Sequence, residues 1–483
     1  MIRVKNLSYS YGREPIFIKT SFVVPNNSKV GLVGVNGSGK STLFKLITEE
    51  IEADEGNIEV SGKILSVPQE VKHDPEMENA KSVRKYLDLR NIKEDYEILR
   101  ILSKMELGYL DLDSPPINMS GGQKTKLAIS RALIQEPDIL LLDEPTNFLD
   151  TAGKKWVMEF LGKYPKTAVI ISHDLNLLDA KIDKILEINQ QKHGIEEYAG
   201  NYSDYEKLKG EKDALLVRQI HVQERHIVQM KKGYLKMAHV KSEKGVRQKI
   251  QLLRRIEKME ENLPAMPLIA KKIKVILPTP AWLGSMPIMA KNISKAYGKN
   301  IVLENVEFNI KRGERIALMG ANGAGKSTLI KILMDIITPD SGEIIKDANL
   351  KIGYYSQEFE TFDFNKTLME VMKETYQMTE EKIRPHLGRF LFGRDMVNQK
   401  IGTLSGGEKT RLSIAIILAY DYNLLILDEP TTYLDVLSQR LILEALKPYQ
   451  GAMIVVSHTP EFIEELKVDR KLYLPENRWE LCK

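Results

Sequence analysis

Two lysines in this chain each close a glycine-rich loop, Gly34-Val35-Asn36-Gly37-Ser38-Gly39-Lys40-Ser41-Thr42 and Gly320-Ala321-Asn322-Gly323-Ala324-Gly325-Lys326-Ser327-Thr328. In the pattern G-x-x-x-x-G-K-[ST], set between an apolar strand and a helix, the glycines let successive backbone N–H groups turn toward one point. The helix N-terminus adds positive potential there. Such a loop cradles phosphates. Lys40 and Lys326 are expected to reach the β- and γ-phosphates of a nucleoside triphosphate, and the hydroxyls of Ser41 and Ser327 to ligate magnesium. Two other apolar runs end in paired carboxylates, Asp143-Glu144 and Asp428-Glu429. At the C-terminal edge of a strand, where ligands sit in sheets of this kind, the aspartate can hold the magnesium shell. The neighbouring glutamate can polarise an attacking water.

The elements that must position these residues occur twice. The glycine loops, Ser120-Gly121-Gly122-Gln123 with Ser405-Gly406-Gly407-Glu408, the carboxylate strands, and Ser172-His173 with Ser457-His458 recur in order at an offset of 285 or 286 residues. The chain is therefore a duplicated unit, 1–195 and 287–483, with a different segment at 196–286. Each unit carries continuous apolar runs, such as Lys29 to Val33, Ile139 to Leu142 and Ala168 to Ile171. Runs of that length suit parallel strands covered on both faces, so the expected class is α/β.

Taken together these residues resemble the ATP-binding-cassette family over both repeats. The most specific element is Ser120 to Gln123 with Ser405 to Glu408, similar to the family signature that caps the γ-phosphate held by the opposite cassette. The resemblance implies two composite ATP sites, Lys40, Ser41 and Glu144 facing Ser405-Gly406-Gly407, and Lys326, Ser327 and Glu429 facing Ser120-Gly121-Gly122. It also implies that Gln69 and Gln357 sense magnesium and that His173 and His458 contact the γ-phosphate. Asp150 and Asp435 fall at the D-loop, and Tyr11 and Tyr297 at the position that stacks on adenine. A half-buried strand aromatic is the other reading of the tyrosines.

Between the repeats, Leu208, Leu215 and Val222 recur at seven-residue spacing, joined by Ile220 and Ile227. After a break near Lys231-Lys232-Gly233, Val246, Ile250, Leu253, Ile256, Met259 and Leu263 step by three or four. Both stretches read as amphipathic helices forming an antiparallel hairpin, and Pro264, Pro267, Pro278, Pro280 and Pro287 mark an extended return. From 231 to 258 there are ten basic residues against two acidic ones, and Lys231, Lys232, Lys236, Lys241, Lys244, Arg247 and Lys249 cluster toward the tip. A solubilising face mixes its signs; a one-sign stripe on a projecting hairpin suits a nucleic-acid backbone.

This organisation resembles the ABC-F family, two P-loop ATP-binding-cassette domains in tandem joined by an α-helical hairpin linker. The resemblance implies an ATPase that needs Mg2+ and binds the ribosome near the tRNA exit site. Its linker would reach toward P-site tRNA and the peptidyl-transferase centre. It also implies a monomer, because one chain holds both halves of the ATP sandwich. The sequence departs from the family at Phe148, at Thr432-Tyr433 and at Thr459, where Asn-His-Leu-Asp and a later aspartate are usual. No extra arm fits between Gln69 and Ser120, and the chain ends 25 residues after His458, which leaves no C-terminal coiled coil. Two linker arms of about 25 residues, near 37 Å each, leave roughly ten for the turn. Resistance members of the family carry a lengthened loop there, so the resemblance implies a tip that reaches tRNA but not the drug site and favours a general role on stalled or non-productive ribosomes over antibiotic protection.

Composition narrows the alternatives. In 483 residues no run of eighteen apolar residues occurs, and the N-terminus alternates like a strand rather than a signal peptide. The single Cys482 excludes a disulfide framework, an iron–sulfur cluster and a structural zinc site, so the cytoplasm is expected. A net charge of +4 is too small to argue for nucleic acid by itself. The ATP-binding subunit of a membrane transporter would have no use for a basic hairpin. A DNA-organising ATPase would interrupt one cassette with its coiled coil, whereas here the helices lie between two intact ones.

Overall fold

The structure, a computed structural model, describes the chain except at residues 13, 69–73, 89–93, 120, 148, 237–241, 265–283, 299, 356–361, 376–378, 394–395, 432–433, 458 and 483. Each cassette contains two sheets. In the first cassette β1 (Ile2–Tyr11), β2 (Glu14–Val24) and β4 (Glu55–Val60) form an antiparallel sheet in the order β2-β1-β4. A six-stranded sheet takes β3 (Lys29–Val33), β5 (Ile64–Val67), β6 (Ile139–Asp143), β7 (Thr167–Ile171), β8 (Lys184–Asn189) and β9 (Gly194–Ala199) in the order β5-β6-β7-β3-β8-β9. Only β9 runs antiparallel to its neighbour. It crosses the expected boundary at 195 and pairs with β8 as far as Ala199.

The second cassette repeats this plan. Strands β10 (Ile288–Tyr297), β11 (Asn300–Ile310) and β13 (Ser341–Lys346) form its small sheet. The large one takes β12 (Arg315–Met319), β14 (Ile352–Tyr355), β15 (Leu424–Asp428), β16 (Ala452–Val456), β17 (Arg470–Tyr473) and β18 (Arg478–Leu481), ordered β14-β15-β16-β12-β17-β18. Burial along β10 reproduces that of β1 position by position, as β11 reproduces β2. Strands β3, β7 and β16 are buried at every residue, which accounts for their unbroken apolar runs. The order β6-β7-β3 brings three strand ends to one edge, and with them Glu144, His173 and the first glycine loop. That edge is where the direction of winding reverses and ligands bind.

The linker is a helical hairpin, but its arms are unequal. The first arm spans Tyr202–Lys236, 35 residues, and the second Glu243–Glu261, 19 residues. At 1.5 Å per residue these are about 52 and 28 Å long. The break expected near Lys231-Lys232-Gly233 does not occur, since one glycine costs a long helix only about 1 kcal/mol. The seven-residue stripe is also displaced. Ile220 and Ile227 are buried together with Ile256, whereas Leu208, Leu215 and Val222 are 46%, 58% and 56% exposed. The second arm is too short to lie over the proximal half of the first. An ion pair of 2.6 Å from Lys231 to Glu260, and Lys249 Nζ 5.1 Å from the Tyr234 ring centre, fix the arms antiparallel. No described helix is long and apolar enough to cross a membrane.

Candidate functional site

Each glycine loop runs from a buried strand into a helix, Lys40–Ile47 or Lys326–Leu333. Gly39 must be glycine, because its φ of 99° is left-handed and a Cβ there would lie 2.5 Å from Ile16. The two lysines are buried. Lys40 Nζ donates to the carbonyls of Gly34 and Val35 at 2.9 and 3.3 Å, and Lys326 Nζ to those of Gly320 and Ala321 at 2.8 and 2.9 Å. Burial lowers the pKa of both ammoniums, opposed mainly by Glu144 and Glu429 respectively. Ser38 Oγ is buried with no partner among the described residues, a hydroxyl placed to bond a phosphate oxygen.

The carboxylates converge as their spacing predicts. Ser41 Oγ donates to Asp143 at 3.0 Å, and Ser327 Oγ to Asp428 at 3.3 Å. Magnesium usually takes one or two protein oxygens and completes its shell with phosphates and water, so these serine–aspartate pairs fit that ion. Among the described residues no cluster of three His, Cys, Asp or Glu offers a separate metal site.

Glu144 and Glu429 both adopt left-handed backbone, φ 50° and 53°, and each N–H donates to the neighbouring strand, at Ile171 or Val456. The two repeats share this left-handed backbone at the glutamates, as they do at Asn6 and Asn292 and at Glu49 and Asp335. Glu144 is buried. His173 N–H donates to its Oε2 at 3.3 Å, and Oε1 lies 3.2 Å from His173 Nε2 without a well-aligned hydrogen bond. Burial, only partly offset by Lys40, pushes the Glu144 carboxyl up to about 7. Burial and then Lys40 push the His173 imidazole down, which keeps it neutral.

The two cassettes meet across these sites. Asn36 N–H donates to Asp435 Oδ2 at 2.8 Å, a contact from the first glycine loop to the opposite D-loop. In return, Asp150 acts electrostatically on Lys326. A cavity of about 650 Å3 is lined by Gly121, Asn147 and His173 from the first cassette and by Lys326, Asp428 and Glu429 from the second. Ser405 opens the second signature helix, Gly406–Leu418, in a capping box with Glu408. Gln123 Nε2 donates to the Tyr109 hydroxyl at 2.6 Å. Tyr11 and Tyr297 are 77% and 53% exposed, so they are surface rings rather than half-buried strand aromatics. Gln69, Ser120, Lys241, Gln357 and His458 lie outside the described residues.

A profile described as ABC transporter matches residues 18–147 and 303–432, and a second with the same description matches 187–269. The chain is 33% identical, over 99% of its length and 79% of the relative's, to the probable ATP-binding protein YheS of Escherichia coli K12. It is 31% identical to ABC transporter F family member 5 of Arabidopsis thaliana, over 96% of this chain and 74% of that one. The chain belongs to the ABC-F family. Among solved structures, the archaeal ribosome recycling factor aABCE1, in complex with the ribosomal stalk protein aP1, matches with a TM-score of 0.66. Identity is 21%, over 97% of this chain and 87% of that one. That likeness is one of fold. The ABC-F resemblance read from the sequence is thus borne out, as is the tandem α/β cassette fold.

Sequence reasoning missed the contacts that tie these sites to the rest of the ABC-F chain. Ser203, in the first turn of the linker, gives its N–H and hydroxyl to Asp179 at 2.7 and 3.0 Å. Asp179 sits on the helix Leu175–Lys181, which begins two residues after His173. Glu206, one turn on, pairs with Arg440 on Val436–Leu446, the helix capped by Asp435. Lys154 pairs with Asp174 at 3.2 Å. The second cassette has Gln439 and Thr459 at the matched positions, and Thr459 makes no side-chain cap. Side-by-side alignment of the two repeats was the signal available for the last of these.

Proposed function

We propose that this ABC-F protein is an ATP-hydrolysing translation factor that acts on the ribosome near the tRNA exit site. Its basic linker works on P-site tRNA and the peptidyl-transferase centre to relieve stalled or non-productive ribosomes. One observation carries the reading: a hairpin whose 231–258 stretch holds ten basic residues against two acidic ones is rooted on both cassettes, beside His173 through Asp179 and beside Asp435 through Arg440. Opening or closing the cassettes must therefore move the hairpin. The recycling-factor neighbour, whose relative ABCE1 is described as ribosome-bound, lends support. The protein works in the cytoplasm as a monomer, since one chain supplies both halves of the sandwich.

In this reading Lys40 and Lys326 leave their loop carbonyls to hold phosphates, and Tyr11 and Tyr297 stack on adenine. The signature turns Ser120 to Gln123 and Ser405 to Glu408 cap the opposite γ-phosphate, which His173 and His458 contact. Ser41, Gln69 and Asp143, with Ser327, Gln357 and Asp428, hold Mg2+, which would supply charge neutralisation at the phosphates. Glu144 and Glu429 accept the proton of the attacking water. Because Glu144 is raised to about 7, its basic form accumulates as pH rises through that value. Turnover by the Glu429→Gln variant, which leaves only Glu144, rises between about pH 6 and 8 and then levels. A profile flat across that range removes Glu144 as the base.

The functional test is sedimentation. The protein pellets with ribosomes in the presence of ATP and stays out of the membrane fraction; recovery with membranes instead restores the transporter reading. A second reading, antibiotic protection, is favoured by the first arm, which at about 52 Å exceeds the length expected. A several-fold rise in inhibitory concentration for macrolide, lincosamide or pleuromutilin drugs, lost when both glutamates become glutamine, selects it.

A further inference from the structure

The two composite sites are built from duplicated parts, yet they differ in what stands behind the D-loop. In the second cassette Asp435 is 4% exposed and spends both carboxylate oxygens, Oδ1 on Ser438 N–H at 2.7 Å and Oδ2 on Asn36 N–H across the interface. The Ser438 hydroxyl, itself buried, accepts from Arg411 Nη1 at 2.8 Å. Arg411 is a buried guanidinium on the signature helix, with Phe392 beneath it at 5.7 Å and Asp435 and Glu408 balancing its charge. A chain of bonds thus runs from the signature helix through Arg411, Ser438 and Asp435 to the opposite glycine loop. Asp435 also acts electrostatically on Lys40 and His173.

The first cassette carries Lys126 and Gly153 at the matched positions. Gly153 has only its N–H to give Asp150, at 2.9 Å, and no hydroxyl to receive a cation. Lys126 turns away, to Glu106 at 2.6 Å and over the Trp156 ring at 4.7 Å. The position matched to Trp156 is Leu441, which offers no ring. Arginine is suited to the buried role because its planar fork loses little freedom per bond and stays charged.

We propose that Arg411 and Ser438 are positioning residues that brace Asp435 against the first glycine loop, so that the site of Lys40 and Glu144 assembles more firmly than its twin. The proposal rests on the reading of the interface as two ATP sites. Turnover is isolated at the braced site in a Glu429→Gln background and at the other in Glu144→Gln. Ser438→Ala keeps the backbone bond to Asp435 and deletes the hydroxyl that accepts from Arg411 and bonds the Asp435 carboxylate. In the Glu429→Gln background it lowers kcat about ten-fold, a loss on the scale of one buried charged hydrogen bond, with KM for ATP held. In the Glu144→Gln background the change stays below about two-fold. Equal losses in the two backgrounds, no loss at the braced site, or a rise in KM alone overturns the proposal.

Should Ser438→Ala not fold, as melting would show, the reverse graft decides. Lys126→Arg with Gly153→Ser, whose Cβ meets Leu149 at 3.1 Å and so needs only a small shift, raises kcat in the Glu144→Gln background. An unchanged or lower value there overturns the proposal. If neither single glutamine background turns over ATP, or if the double one does so at the parental rate, it is the reading of the ATP sites that fails instead.

Discussion

Replacing Glu144 and Glu429 together by glutamine lowers ATP turnover by about 1,000-fold, the middle of the range for removing a general base, while ATP still binds. Glutamine keeps the size and one oxygen of each side chain, so Lys40, Lys326, Ser41 and Ser327 meet the phosphates as before. Only the capacity to take a proton from water is lost. The left-handed backbone at both positions, φ 50° and 53°, persists because it is set by the strand bonds to Ile171 and Val456 rather than by the carboxylates. The closed sandwich then accumulates on ribosomes and arrests translation. Phosphate release and nucleotide retention measured on one sample check both halves of the result. Parental turnover in the double variant removes these residues from catalysis.

Changing Lys232, Lys236, Lys241 and Lys249 to glutamine weakens ribosome association and flattens its dependence on salt. Lys231 is left in place because Glu260 already neutralises it. If three of the four meet phosphates, the slope of log affinity against log salt falls by about 3. The parent then loses roughly 40-fold more affinity than the variant between 50 and 200 mM. ATP turnover without ribosomes is unaffected, since the linker's ion pairs to the cassettes, made by residues 206 to 212, lie near the other end of the arm. Sedimentation at three salt concentrations reads the slope; parallel lines return the segment to a solvated face.

What the sequence told and what it hid divide along a physical line. The glycine loops, the Asp-Glu strand ends and Ser172-His173 were legible as recurring blocks because local backbone geometry fixes their residue types and spacing together. Strands Lys29–Val33, Arg315–Met319 and Ala452–Val456 begin and end where their apolar runs do. The linker was harder. Gly233 reads as a breaker, yet a helix of 35 residues absorbs it. Leu208, Leu215 and Val222 read as a seam, yet a seam needs a partner, and the length of the second arm decides which stripe has one. The brace at Arg411 was hidden for a further reason. Ser438 and Asp435 lie 27 and 24 residues away in sequence, and a lone Arg and a lone Ser have no spacing that marks them.

The unequal arms have a mechanical consequence. The long helix is pinned over its first turns, by Ser203 to Asp179, Glu206 to Arg440 and Lys212 to Glu196, and carries Lys231, Lys232 and Lys236 at the far end. It therefore behaves as a lever whose fulcrum lies on the cassettes. A tilt of about 5° at the root sweeps the tip through roughly 3 Å over a span of about 36 Å from Lys212 to Lys236. In the reading proposed above, a small change at the cassettes is thereby amplified into a displacement of the basic tip about as long as a hydrogen bond.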